Sequence, residues 1–185
     1  MINEILDETR ETMSVTLSVY EQNLLGIRGN RASIGLVDQL MIEYYGQQTP
    51  LRQLANLSTP EPMTITIRPF DPGAVSAIET AIQQADLGVN PNTDSGIIRL
   101  NMPALTRERR VELVKFLGKR TEDAKVSIRN IRRNAISDIK DFEKEGEVSE
   151  DESRRGQDEV QKLTDEFVKK IDEAHKVKEK DIMEI

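Results

Sequence analysis

The stretch from Thr106 to Gly146 restricts the fold more than any other feature, because its apolar side chains return every three or four positions. Leu113, Leu117, Ala124, Ile128, Ile131, Ala135, Ile139 and Phe142 fall on one face of a helix. Thr106 can cap the start, and Gly146 in "EKEGEVSEDE" breaks the pattern. Some 40 residues of helix measure roughly 60 Å at 1.5 Å per residue, longer than a compact sphere can shelter. Such a rod needs partners of its own kind. Residues 1 to 28 supply one, with Ile2, Ile5, Leu6, Met13, Leu17, Tyr20, Leu24 and Ile27 mostly three or four apart. Another opens at a capping box, Ser149 with Glu152 three residues on, and carries Val160, Leu163, Phe167, Ile171 and Ala174 inside. Three single stripes must bury one another.

Between the first and second rods the pattern changes. Leu36 to Tyr45 and Met63 to Arg68 are rich in β-branched and aromatic residues, and "MTITI" alternates as a half-buried strand does. In "DPGAVSAIETAIQQADLG", Asp71 can cap a helix, Pro72 suits its first turn and Gly88 its stop. "GIIRLNMP" reads as a further strand ended by Pro103. The expected fold is therefore α+β: an elongated three-helix bundle of residues 1–30 and 105–185, with a small β/α/β domain of residues 31–104 inserted into one connection. The chain crosses between the two bodies at Gly29, Asn30 and Arg31 and again at Ala104, Leu105 and Thr106, where a hinge with limited rigid-body freedom is expected.

Composition fits long solvated rods, since 32% of the residues are charged and only 4% aromatic, with no Trp. The lack of cysteine excludes a disulfide framework, thiolate metal sites and a Cys nucleophile. "MINEILDETRE" has no basic region followed by an apolar run, and no segment approaches 18 apolar residues, so a soluble, cytoplasmic protein without a membrane partner is expected.

The net charge is −7, which would ordinarily argue against a nucleic-acid partner. Its distribution reverses that argument. Lys and Arg stand against Asp and Glu as six to twelve over residues 1–106, ten to four over 107–133, and ten to seventeen over 134–185. Potentials are screened over about 10 Å, so a locally basic segment can bind a polyanion inside an acidic chain. Within "VSIRNIRRNA" and just before it, Lys125, Arg129, Arg132 and Arg133 follow i, i+4, i+7, i+8 and form one strip beside the apolar seam. Like charges so spaced repel by a few tenths of a kcal/mol per pair, so something outside the helix must compensate them. Phosphates suit the planar fork of Arg; acids of the third rod, "SEDE" and Asp158, are the alternative. "TRERR" adds Arg107, Arg109 and Arg110 at a helix N-terminus, where the macrodipole disfavours them, and Arg28 and Arg31 can approach from the other crossing. Ion pairs to Glu108 or Glu112 are the simpler explanation there.

Other signals are weak. His175 is the only histidine, on the flank of the third rod, and reads as an ordinary surface residue. The glycines of residues 26–35 lack a following "GK[ST]", so they suit a hinge better than a phosphate loop. Of Tyr44 and Tyr45, at least one belongs to a core, because successive strand residues face opposite ways. No catalytic triad, metal set or cofactor motif is present, and a non-enzymatic role is expected.

"IRGNRASIGLVDQLMIEYYGQQTPLRQLANL", "DLGVNPN", "LTRERR", "VSIRNIRRNA" and "SEDESRRGQDEVQKLTDEFVKKID" together resemble the ribosome recycling factor family, in this order and over essentially the whole chain. The resemblance implies a three-helix bundle and an inserted module joined by a hinge, L-shaped with a tRNA-like outline. It implies a monomeric factor that enters the ribosome after termination and, with elongation factor G and GTP hydrolysis, splits the subunits. By the same resemblance the bundle lies on large-subunit ribosomal RNA, with Arg129, Arg132, Arg110 and Arg28 where RNA contacts are made. "PFDPGAVSAIE" departs from the family's usual start of the module helix. A rival reading of the residues alone is a helical adaptor, its acidic helices binding a protein partner and its arginines held in internal salt bridges.

Overall fold

A computed structural model describes residues 1–184. In chain order the elements are α1 (Ile2–Leu25), β1 (Met41–Tyr44), β2 (Gln47–Pro50), α2 (Leu51–Leu54), β3 (Ala55–Glu61), β4 (Thr64–Pro69), α3 (Val75–Gln84), β5 (Pro91–Asp94), β6 (Ile97–Asn101), α4 (Arg107–Lys144) and α5 (Glu150–Met183). Short 3-10 turns at Ile34–Leu36 and Pro72–Ala74 precede β1 and α3. The fold is α+β, as the periodicities imply.

The chain divides into two compact units, one of Met1–Leu24 with Val114–Lys180, the other of Leu25–Leu113 with the residues from Asp181 on. The second unit is wider than residues 31–104, for a reason that lies in its loops. The Asn30 N–H donates to the Asp181 carbonyl at 3.2 Å, and Arg28 donates to the carbonyl of Pro103. A side chain at Gly29 would have to displace the Asp181 carboxylate from its place.

The first unit is three helices joined through their stripes. Met13, Tyr20 and Leu24 of α1, Leu117, Ala124, Ile128, Ala135 and Ile139 of α4, and Val160, Leu163, Phe167 and Ile171 of α5 are buried. Ile131, Phe142 and Ala174 are only half-buried. The α4–α5 turn follows its capping residues closely. Gly146 takes φ 76°, its N–H reaches the Glu143 carbonyl and the Glu147 N–H reaches Phe142, which satisfies the last carbonyls of α4. The Ser149 N–H then donates to Glu152 Oε2 at 2.9 Å while the Glu152 N–H donates to Ser149 Oγ at 3.3 Å, completing the capping box. Glu152 is correspondingly held below its ordinary pKa, chiefly by that backbone N–H.

In the second unit β1 and β2 form a hairpin, and β3-β4-β6-β5 form an antiparallel sheet. Ile65 pairs with Leu100 and Ile67 with Ile98. With Ile78 and Ile82 of α3, and with Val37, Ile42 and Leu51, they make the apolar core. The run from Leu36 is not all strand: Ser33 Oγ accepts the Gly35 N–H and starts a 3-10 turn, so extended structure begins only at Met41. Helix α3 starts after the Asp71 cap and stops at Gln84, four residues before Gly88.

Candidate nucleic-acid interface

On α4 the buried positions Arg110, Leu113, Leu117, Thr121, Ala124 and Ile128 continue one seam with steps of three or four. Two of them are polar. Thr121 is 6% exposed, and its hydroxyl is fully used: it donates to the Leu117 carbonyl at 2.9 Å and therefore accepts from the Tyr20 hydroxyl at 2.7 Å and from His175 Nδ1 at 2.8 Å. With a proton on Nδ1 for that bond, the other ring nitrogen, Nε2, lies 3.5 Å from a Glu179 carboxylate oxygen. Hence His175 is not an ordinary surface residue. It ties α5 to α4 and, through Thr121, to α1. Burial raises the pKa of Tyr20, partly offset by the Thr121 bond. A threonine interrupting an apolar seam was the signal for this node.

Arg110 is the other polar seam residue, 8% exposed. Its guanidinium donates to the Ile182 carbonyl, to the Glu184 carbonyl at 2.9 Å and to Asn30 Oδ1 at 3.5 Å. The two backbone acceptors are free carbonyls at the end of α5, the negative end of its dipole. Arg28 is spent in a similar way on Pro103. Its pKa is lowered by burial and then by the nearby charges of Arg109 and Arg110, so three guanidinium groups sit close enough to repel. Carbonyls satisfy hydrogen bonds without cancelling charge, and the cluster keeps its positive sign. Of these three, Arg109 alone is in an ion pair among the described residues, to Glu112 at 2.9 Å, as "TRERR" allowed. Thr106 Oγ1 caps α4 by accepting the Arg109 N–H at 3.1 Å. Arg31, Ala104 and Thr106 are exposed, Asn30 and Leu105 half-buried, and Gly29 buried.

Further along α4 the strip divides. Lys125 is only 21% exposed and pairs with Asp172 of α5 at 2.5 Å. Arg129 is 41% exposed and bonds Glu122 of its own helix through both terminal nitrogens at 3.0 Å. Arg132 reaches across to Gln161 Oε1 of α5 at 3.3 Å, a neutral acceptor. Arg133 is exposed and has no partner among the described residues. The acids of "SEDE" and Asp158 pair with none of these cations. Among the described residues two of the four charges are therefore matched by carboxylates and two are not, Arg133 exposed and Arg132 half-buried against α5. That end of the strip can take bidentate phosphate contacts.

Tyr44 and Tyr45 sit apart from this surface. Tyr44 is half-buried and donates to Asp71 Oδ2 at 2.6 Å, whereas Tyr45 is 84% exposed in a turn at φ 47°. Among the described residues no His, Asp and Glu group could hold a metal, and no helix is long and apolar enough to cross a membrane.

Comparison with known proteins agrees over the full length. The family described as ribosome recycling factor matches residues 20–183. The ribosome-recycling factor of Bacillus licheniformis is 51% identical over 185 residues, covering 100% of both chains. That of a Picosynechococcus is 52% identical over 180 residues, 97% of this chain and 99% of its own. Among solved structures, a solution structure of the ribosome recycling factor superposes with a TM-score of 0.78 at 40% identity, covering 100% of this chain and 98% of its own. Another, of T. thermophilus ribosome recycling factor with E. coli elongation factor G bound to the E. coli post-termination complex, gives 0.69 at 42% identity over 99% of each chain.

Proposed function

Since the chain belongs to the ribosome recycling factor family, we propose that it binds the post-termination ribosome through large-subunit ribosomal RNA and works with elongation factor G. GTP hydrolysis by that factor drives the subunits apart and releases the mRNA. The observation that carries this reading is the pair of guanidinium groups on α4, half-buried Arg132 and exposed Arg133, that have no carboxylate partner among the described residues. Phosphate contact by these two, aided by Arg129 and Lys125, releases condensed counterions and relieves the repulsion along the helix. Arg110 and Arg28 add their uncancelled charge beside the crossing while their hydrogen bonds hold its loops together. The residues 29–31 and 104–106 act as the hinge between an RNA-bound bundle, residues 1–30 and 105–185, and a module, residues 31–104, that receives force from the GTPase. The chain works as a cytoplasmic monomer and catalyses no reaction itself.

Co-sedimentation with intact and split ribosomes tests the reading. The chain is expected to pellet with the large subunit at low salt, and subunits are expected to separate only when elongation factor G and GTP are both added. Pelleting that ignores salt, or no separation with both present, would contradict it. The adaptor reading is less favoured, because among the described residues Arg132 and Arg133 are in no internal salt bridge.

A further inference from the structure

We infer that the groove between α1 and α4, at the end of the first unit that holds Met1, docks a Lys- and Arg-rich polypeptide segment bearing an apolar anchor. This goes beyond the RNA reading and does not depend on it. The groove encloses about 400 Å³. Half-buried Ile5 and Phe142 are its apolar lining. Glu4 and Glu8 border it from α1, and Asp138, Asp141 and Glu145 from α4. Lys144 engages Asp141 at 2.8 Å and the amino terminus engages Glu4 at 3.1 Å, while Glu8, Asp138 and Glu145 have no cationic partner among the described residues.

The surroundings carry the same sign. Residues 1–8 and 136–159 contain thirteen Asp and Glu against four Lys and Arg. An RNA backbone is repelled from such a surface, so whatever covers the apolar floor is not the polyanion taken by the arginine strip. A metal ion is a poor occupant, since no group of carboxylates converges well enough to hold one among the described residues. Charge complementarity selects a basic chain. The α4 carboxylates at i, i+3 and i+7 span about 10 Å and the α1 pair is one turn apart, a spread that suits successive cationic side chains rather than one small molecule. The floor supplies what a purely ionic contact lacks, because exposed ion pairs alone are worth only about 0–1 kcal/mol each. An apolar side chain seated between Ile5 and Phe142 gives the complex its position.

The probe is the acetylated, amidated hexapeptide KKFRKK, titrated into the full chain at low salt, with amide chemical shifts mapping where it lies. Shifts centred on Ile5, Phe142 and Glu145 are expected. The D138N/D141N/E145Q variant, all at the surface, should bind about tenfold more weakly, and the Phe-to-Gly peptide several-fold more weakly to the original chain. Equal binding by the variant, shifts centred elsewhere, or no loss with the Gly peptide would overturn the inference. So would a dimer that the variant dissolves, which makes a second copy the occupant. RNA binding by the variant is expected to be unchanged or stronger, so this test and the RNA test fail separately.

Discussion

Lys125 Nζ lies 2.5 Å from Asp172 Oδ1, whereas Arg132, two helical turns further along the same strip, meets only the neutral Gln161 side chain. A cation already matched by a carboxylate offers a phosphate less net attraction than one that is not. The strip is therefore graded. Lys125→Ala is expected to weaken large-subunit binding less than Arg133→Ala, and Asp172→Asn to strengthen it by releasing Lys125. Filter binding at fixed salt checks the order; a Lys125 variant weaker than the Arg133 variant would contradict it.

The Thr121 hydroxyl serves three helices at once. Thr121→Val keeps the shape but leaves the Tyr20 hydroxyl and His175 Nδ1 without their shared partner in a buried place. The expected cost is about 1–3 kcal/mol of folding stability, read by chemical denaturation, with RNA affinity unchanged. A valine variant as stable as the original would remove the node from the account.

Arg110 and Arg133 should separate stability from binding. Arg110→Ala frees the carbonyls of Ile182 and Glu184, and hydrogen bonds from a charged donor are worth about 1.5–3 kcal/mol. Exposed Arg133→Ala should stay within about 0.5 kcal/mol. Thermal unfolding of the two variants side by side gives the comparison.

The Tyr44–Asp71 bond makes the second unit acid-sensitive. Asp71 is held below its ordinary pKa of 3.8, first by the Tyr44 hydroxyl and then by the Gly73 N–H. The folded state thus favours the carboxylate. Its contribution is complete above the unfolded value and is lost as pH falls through the lower folded one. Tyr44 is pushed up to about 12 by the same bond, so its contribution is present below 10.0 and fades as pH rises past about 12. Tyr44→Phe should flatten the stability profile of this unit at both limbs, measured by amide exchange of β1 and α3.

Much of this was readable from residues. The caps Thr106 and Ser149–Glu152 and the break at Gly146 are local chemistry and lie where their side chains demand. The strands β2, β3 and β5 were not foreseen, because "QQTP", "ANLSTPE" and "PNTD" are largely exposed and so lack the alternation that marks a half-buried strand. The turns that join β1 to β2 and β5 to β6 were visible only as Tyr45-Gly46 and Ser95-Gly96, each with two positive φ angles. At the candidate interface the strip itself followed from helical spacing. Which of its cations find carboxylates did not, since Asp172 and Gln161 lie on α5 and only packing brings them opposite Lys125 and Arg132. His175 escaped for the same reason: its own helix shows a flank, and its partner Thr121 is 54 residues away.

The central claim is that the guanidinium groups on α4 without carboxylate partners meet RNA phosphate. Large-subunit affinity measured against salt, for the original chain and for R132A/R133A, tests it most directly. With four to six cations on phosphate, the original should give a log–log slope of about −3 to −5. The double variant should bind more weakly, lose about 2 from the magnitude of that slope, and unfold at nearly the same temperature. Equal affinity and an equal slope for the two proteins would contradict the claim.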